Sequence, residues 1–261
     1  MKFLMILVAF LTIPYRTGDY SLIKSLPVKA SFLTTDQFSN CYIISDNQLL
    51  EYDSLGRYLA NYSDKTLGNL ASIDASNPMK LQLFYNDLRQ VVTLDNKLAF
   101  TTAINLLDLD IQQPLVICNS YNDALWVYDQ QDFQLKRIES TLQITQQSGN
   151  ITQMVGYDLK PTAMLEDNRF LYMNNPETGI LVFDYYGSYY KTIPIKNIIS
   201  FQIIDNKLVY YKENNFVSYD MHSFNDKLIS MPKTASTLVY PRIEKQRLFM
   251  LEQNNVEISS F

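Results

Sequence analysis

The sequence contains one histidine, His222, in the stretch YDMHSF. Every scheme that needs an imidazole as base or metal ligand therefore converges on this position. It follows an aromatic-Asp pair, Tyr219-Asp220, that closes an apolar run, which points to an exposed turn rather than a catalytic centre. The two cysteines, Cys41 and Cys118, each sit inside an apolar run. They are expected to pack as small buried hydrophobes and to stay unbridged. No GxGxxG, Walker A, HExxH, CxxC or GxSxG pattern occurs, and seven glycines leave little material for a phosphate-cradling loop.

Carboxylates offer a second chemistry. Asp36, Asp95, Asp123, Asp167 and Asp205 could supply oxygen ligands to a hard divalent cation if several converged on one axis. All five stand in turn-like segments between apolar runs, where Asp is already explained by its bonds to its own backbone. No cofactor is expected. Aromatic residues offer a third: 19 Tyr and 14 Phe crowd strand ends and turns. Trp126, Tyr128 and Phe183 alternate as core residues do. Tyr185 and Tyr186 occupy two central turn positions where burial is difficult, and with Tyr121 they are the candidate contacts for a protein partner.

The elements that position these residues read as a repeat. LLEYDSLGRYLANY (Leu49 to Tyr62) is echoed by ILVFDYYGSYYKTI (Ile180 to Ile193). Aromatic-Asp pairs close alternating apolar runs at Asp53, Asp129, Asp184 and Asp220, at intervals of 76, 55 and 36. This is a period in the high thirties with extra chain supplied by Ser140 to Gln153. TLDNKLAF, LEDNRFLY and IIDNKLVY add Asp-Asn hairpin turns, and IEKQRLFML adds a charged one. Units are expected to start near Ala30, Pro78, Pro114, Pro161, Ile199 and Ser236. Six small sheets bury both faces only when arranged radially, so the fold class is an all-β, six-bladed β-propeller of four-stranded antiparallel blades. The last unit has room for three strands, and Ser21 to Val28 is the apolar segment that can complete it, closing the ring with both termini. Asp53 to Gly56 and Asp184 to Gly187 then turn the chain between third and fourth strands.

The chain opens MKFLMILVAFLTI, one basic residue and an eleven-residue apolar run ended by Pro14. This has the length of a signal-peptide h-region and is too short for a bilayer. Residues 1–18 are expected to be a signal peptide and 19–261 one propeller domain, periplasmic or secreted, with no transmembrane span after cleavage. A formal charge of -5 argues against nucleic acid as partner.

With the units laid out, the chain resembles the superfamily of six-bladed propellers that includes NHL-repeat and gluconolactonase-like proteins. NPMKLQLFYNDLRQVVTLDNKL (Asn77 to Leu98), CNSYNDALWVYD (Cys118 to Asp129) and GILVFDYYGSYYKTIPIK (Gly179 to Lys196) are similar to a group of exported propellers from Bacteroidota. The resemblance implies a fold and an origin and assigns no catalytic residue. The expected function is a non-enzymatic, monomeric interaction scaffold for a protein partner in the cell envelope. The alternative is a metal-dependent lactone or ester hydrolase.

Overall fold

A computed structural model describes residues 20–231 and 238–261. It is an all-β ring of six four-stranded antiparallel sheets. Strands are lettered A to D from the axis outward. Blade 1 comprises Phe32–Thr35, Cys41–Ser45, Gln48–Tyr52 and Tyr58–Tyr62. Blade 2 comprises Leu70–Asp74, Leu81–Tyr85, Gln90–Leu94 and Phe100–Asn105. Blade 3 comprises Pro114–Asn119, Leu125–Asp129, Gln134–Ile138 and Ile144–Gln147. Blade 4 comprises Ala163–Asp167, Phe170–Asn175, Gly179–Asp184 and Tyr189–Ile193. Blade 5 comprises Phe201–Ile204, Lys207–Lys212, Asn215–Asp220 and Asp226–Ile229. Blade 6 takes its strands A to C from Leu238–Glu244, Arg247–Glu252 and Val256–Ser260, and its strand D from Ser21–Leu26.

That last strand closes the ring as the sequence implies. Ser21 pairs with Ser260 and Leu26 with Val256, antiparallel. The expected unit starts match within about two residues in blades 1, 3, 4 and 5. Blade 2 is the correction: it begins at Leu70, not Pro78, because NLASID is itself a strand A, short and bracketed by polar turns. The Ser236 start lies outside the described residues, as do residues 1–18.

Alternation along the strands builds the core. In strand B of blade 1, Cys41 and Ile43 face blade 6 while Tyr42 and Ile44 face blade 2. The described residues form one apolar cluster at each of the six seams, so each sheet is covered on both faces. Each fully buried Leu or Ile in such a seam stabilises by about 2 kcal/mol. Cys41 belongs to the 6–1 seam and Cys118 to the 3–4 seam, and both thiols are free and buried.

The echoed motif is scaffold. Asp53 and Asp184 each accept from the amides two and four residues on, through Leu55 and Arg57 or Tyr186 and Ser188. Gly56 and Gly187, at φ 72 and 81, then supply the left-handed residue. Both turns lean on the preceding blade: a Cβ at Gly187 would lie 3.4 Å from the Trp126 ring, and one at Gly56 only 2.6 Å from Lys24 Cγ. The equivalent turns of blades 2 and 3 start at Asp95 and Glu139, not at Asp129. Asp129 ends a strand B instead, and the Ser140 to Gln153 segment supplies strand D of blade 3 and the start of a short helix, Ile151–Val155.

Candidate functional site

Because successive strands reverse direction, the turns joining A to B and C to D emerge on one face in every blade. The AB turns interlock around the axis. Lys80 Nζ donates to the Asp123 carbonyl at 2.5 Å, the Asn119 amide to Asp74 at 2.7 Å, and Asn168 Nδ2 to Asn206 Oδ1 at 3.2 Å. The five candidate metal ligands lie on this face but do not converge. Asp36 is buried and accepts from the amides of Phe38 and Asn40, from Asn40 Nδ2 and from the Tyr42 hydroxyl. Asp95 accepts from the Ala99 and Lys97 amides, which hold its carboxyl below the usual range. Burial pushes the Asp167 carboxyl up, and it accepts from Asn168. Asp123 and Asp205 occupy left-handed turn positions. Among the described residues no three His, Cys, Asp or Glu side chains are grouped to hold a metal ion.

His222 lies exposed in the CD turn of blade 5, its amide donating to Asp220 Oδ1 at 2.9 Å. Burial pushes the Cys41 and Cys118 thiols up, which keeps them protonated and unreactive.

The three sequence-predicted tyrosines are brought together by a residue that the sequence gives no reason to single out. Arg137, on strand C of blade 3, has 0% exposure. Its Nε donates to Ser120 Oγ at 2.9 Å, one guanidinium nitrogen to Glu139 and the other to the Tyr121 carbonyl. Its guanidinium carbon lies 5.1 Å from the centre of the Tyr185 ring, which arrives from the CD turn of blade 4. Across the seam, Glu166 of strand A in blade 4 accepts from Ser120 Oγ at 2.5 Å, from Trp126 Nε1 at 2.8 Å and from the Tyr121 amide at 3.2 Å. A buried cation must be paired to be tolerated, and Glu139 pairs Arg137 within blade 3 while Ser120 and the Tyr185 ring carry the network across to blade 4.

One expectation changes. Tyr185 is half-buried beneath this contact, so it is a support rather than a free anchor. Tyr186 stands edge-on to it, ring centres 5.4 Å apart, at 68% exposure, and Tyr121 is 64% exposed. The rim continues into blade 5. Tyr190, 63% exposed, packs on Phe170, and Lys191 Nζ lies 5.6 Å from the Tyr190 ring and 5.8 Å from that of Phe224, itself 66% exposed. Phe224 was not legible as a contact, because it sits beside the histidine in a turn of otherwise polar residues.

No known family model matches the sequence, and no curated protein matches it. The fold does have solved counterparts. A catalytically inactive histidine-to-alanine variant of virginiamycin B lyase from Staphylococcus aureus, with quinupristin, aligns at a TM-score of 0.68 and 11% identity over 93% of this chain and 100% of that one. The WD40 domain of Neurospora crassa Pan2 aligns at 0.60 and 9% over 94% and 96%. PorZ, a bacterial surface component of the type-IX secretion system of Porphyromonas gingivalis, aligns at 0.51 and 14% over 92% of this chain and 34% of its own. At these identities the likeness is one of fold.

Proposed function

We propose that this propeller is a non-enzymatic interaction scaffold that docks a partner protein on the aromatic rim of blades 3 to 5. The observation that carries the reading is that Tyr121, Tyr186, Tyr190 and Phe224 are each more than 60% exposed and lie on one rim. Tyr121 has its backbone held on both sides, by Arg137 at its carbonyl and Glu166 at its amide, and Tyr186 rests edge-on against the Tyr185 ring that lies over Arg137. Amphipathic rings held rigid at a surface lose little conformational freedom on binding, which is the property of an interface anchor.

The working location in this reading is the periplasm or outside the cell, with residues 1–18 as export signal. The lysine and apolar run at the start of the sequence support it, as does the sequence resemblance to exported Bacteroidota propellers. None of the described helices is long and apolar enough to cross a membrane. The hydrolase alternative needs carboxylates gathered on the axis, and the candidate acids are engaged in their own turns instead.

The test is capture of partners from a native envelope fraction by the mature protein and by a Tyr121→Ala, Tyr186→Ala double variant. Loss of two anchors should weaken partner binding by about 2 kcal/mol or more, with an unchanged melting temperature because both rings are mostly exposed. Undiminished capture by the variant refutes the rim. Calorimetric titration with calcium, magnesium and zinc after chelation tests the alternative: a stoichiometric site tighter than about 10⁻⁵ M would promote the enzyme.

A further inference from the structure

At the seam of blades 6 and 1, on the face that carries the AB and CD turns, lies a cleft of about 350 Å³ lined by Ser39, Ser54, Lys245, Gln246 and Arg247. The chain as a whole has 27 acidic against 22 basic residues, yet this lining holds two cations and no acid.

Both cations are held in place. Arg247 donates from Nε to the Ser54 carbonyl at 3.2 Å and from Nη1 to the Gln246 carbonyl at 3.1 Å, which orients its guanidinium across the seam. Two of its five N–H donors are thereby used, and the fork keeps the rest for a ligand. Lys245 occupies a left-handed position, φ 53, in the two-residue AB turn of blade 6. The same position in blades 4 and 5 is filled by Asn168 and Asp205, residue types that tolerate this backbone better than lysine does. Lys245 Nζ lies 5.9 Å from the centre of the Phe38 ring, which is 55% exposed at the cleft's edge.

Two neighbouring acids are engaged elsewhere, and the third, Glu244, precedes Lys245 and offsets part of its charge. Asp53 holds Arg57 at 2.6 Å, Asp36 is buried under four hydrogen bonds, and Glu244 is half-buried at the end of strand A.

We infer that this seam binds an oxyanion, a carboxylate or phosphate carried by a small ligand. Lys245 and Arg247 supply the charge, Ser54 a hydroxyl, and Phe38 the cover for the ligand's apolar part, while Ser39, whose hydroxyl donates to the Glu244 carbonyl, walls the cleft. The site lies across the ring from the aromatic rim and is independent of it.

The experiment is titration of the mature protein with inorganic phosphate and, separately, with 3-phenylpropionate, followed by backbone amide NMR shifts. Expected are saturable shifts at Ser39, Ser54 and residues 245–247 with a dissociation constant below about 1 mM for at least one probe; the tighter probe identifies the oxyanion. Lys245→Glu should weaken it at least tenfold, while Lys97→Glu, an equal charge change in the exposed CD turn of blade 2, should leave it unchanged. Arg247→Lys, which keeps charge but loses the fork, should weaken it less than Lys245→Glu. Shifts that fail to saturate with both probes, or equal weakening by Lys245→Glu and Lys97→Glu, overturn the inference.

Discussion

Replacing Arg137 by methionine removes a side chain that ties the AB turn of blade 3 to the CD turn of blade 4. Lost together are the bonds to Ser120, Tyr121 and Glu139 and the contact with the Tyr185 ring. Glu139 keeps only the Thr145 hydroxyl among its described side-chain partners, at 3.1 Å. Glu139 keeps 27% of its side chain exposed and can rehydrate, so the loss should fall below that of a fully buried pair, at about 2–4 kcal/mol with the buried acceptors of Ser120 and Tyr121 left unmatched. With a denaturant slope of about 2 kcal/mol/M in urea, the midpoint should fall by about 1–2 M. The assay is built into the chain: Trp126 is its only tryptophan, is fully buried, and donates to Glu166 in the same network, so its emission follows unfolding at this seam. Combining Arg137→Met with Glu139→Gln should restore part of the loss, since the stranded carboxylate is then neutral. If Arg137→Met unfolds within about 1 kcal/mol of the parent with an unchanged slope, the network does not hold the two blades together, and the rigidity claimed for the tyrosines loses its basis.

Deleting residues 21–26 should cost at least the about 2–5 kcal/mol of a buried leucine, through Leu26, and should bare the edge of Val256–Ser260; a truncated protein that melts like the parent would contradict closure by this strand. Cys41 and Cys118 should resist alkylation in the native state and both react after unfolding without reductant, and a disulfide-linked peptide pair in mass spectrometry would overturn the seam assignment. Burial raises the Glu51 carboxyl above its ordinary 4.5, with Tyr42 and Asp36 beside it, so the folded state holds this proton more tightly than the unfolded one. Stability from this group is complete below 4.5 and is lost as pH rises, so Glu51→Gln should match the parent near pH 4 and exceed it at pH 7 in urea unfolding.

The ring was legible because hairpin turns and alternation recur in every unit, and because SLIKSL had no other partner. The register was less legible. The position that truly repeats is the residue opening each CD turn: Asp53, Asp95, Glu139, Asp184 and Asp220, spaced 42, 44, 45 and 36 residues apart. Leucine and isoleucine precede it in blades 2 and 3, and the left-handed residue there is Leu98 or Leu142 instead of glycine, so neither half of the motif shows. Asp129 imitates it after an aromatic, but serves a buried pair with Lys136 at 2.9 Å. The site was hidden for a related reason. Lys136 and Arg137 read as two charges in a row, which suggests solvent, whereas strand alternation sends them to opposite faces, each buried, Lys136 paired with Asp129 across a turn and Arg137 with Glu139 and the AB turn. The partners that bury Arg137, Ser120 and Tyr121, lie 17 and 16 residues away, and Ser120 meets Glu166 46 residues on, which spacing along one strand does not encode.

The closing strand also sets the order of events during synthesis. Ser21 is made among the first described residues, yet its partner Ser260 comes 239 residues later. Blades 1 to 5 can assemble from hairpins as they emerge, but blade 6 stays one strand short until the whole chain is free, and the long loop thus closed makes this the slowest contact to form. The rings of Tyr20 and Phe261 lie 5.4 Å apart, so the start of the closing strand neighbours the residue after the last strand. Joining Phe261 to Tyr20 through a short linker and opening the chain between Tyr62 and Leu70 would turn the closing strand into an ordinary local hairpin. The fold would be kept while its most distant pairing became one of its nearest, and refolding should accelerate accordingly.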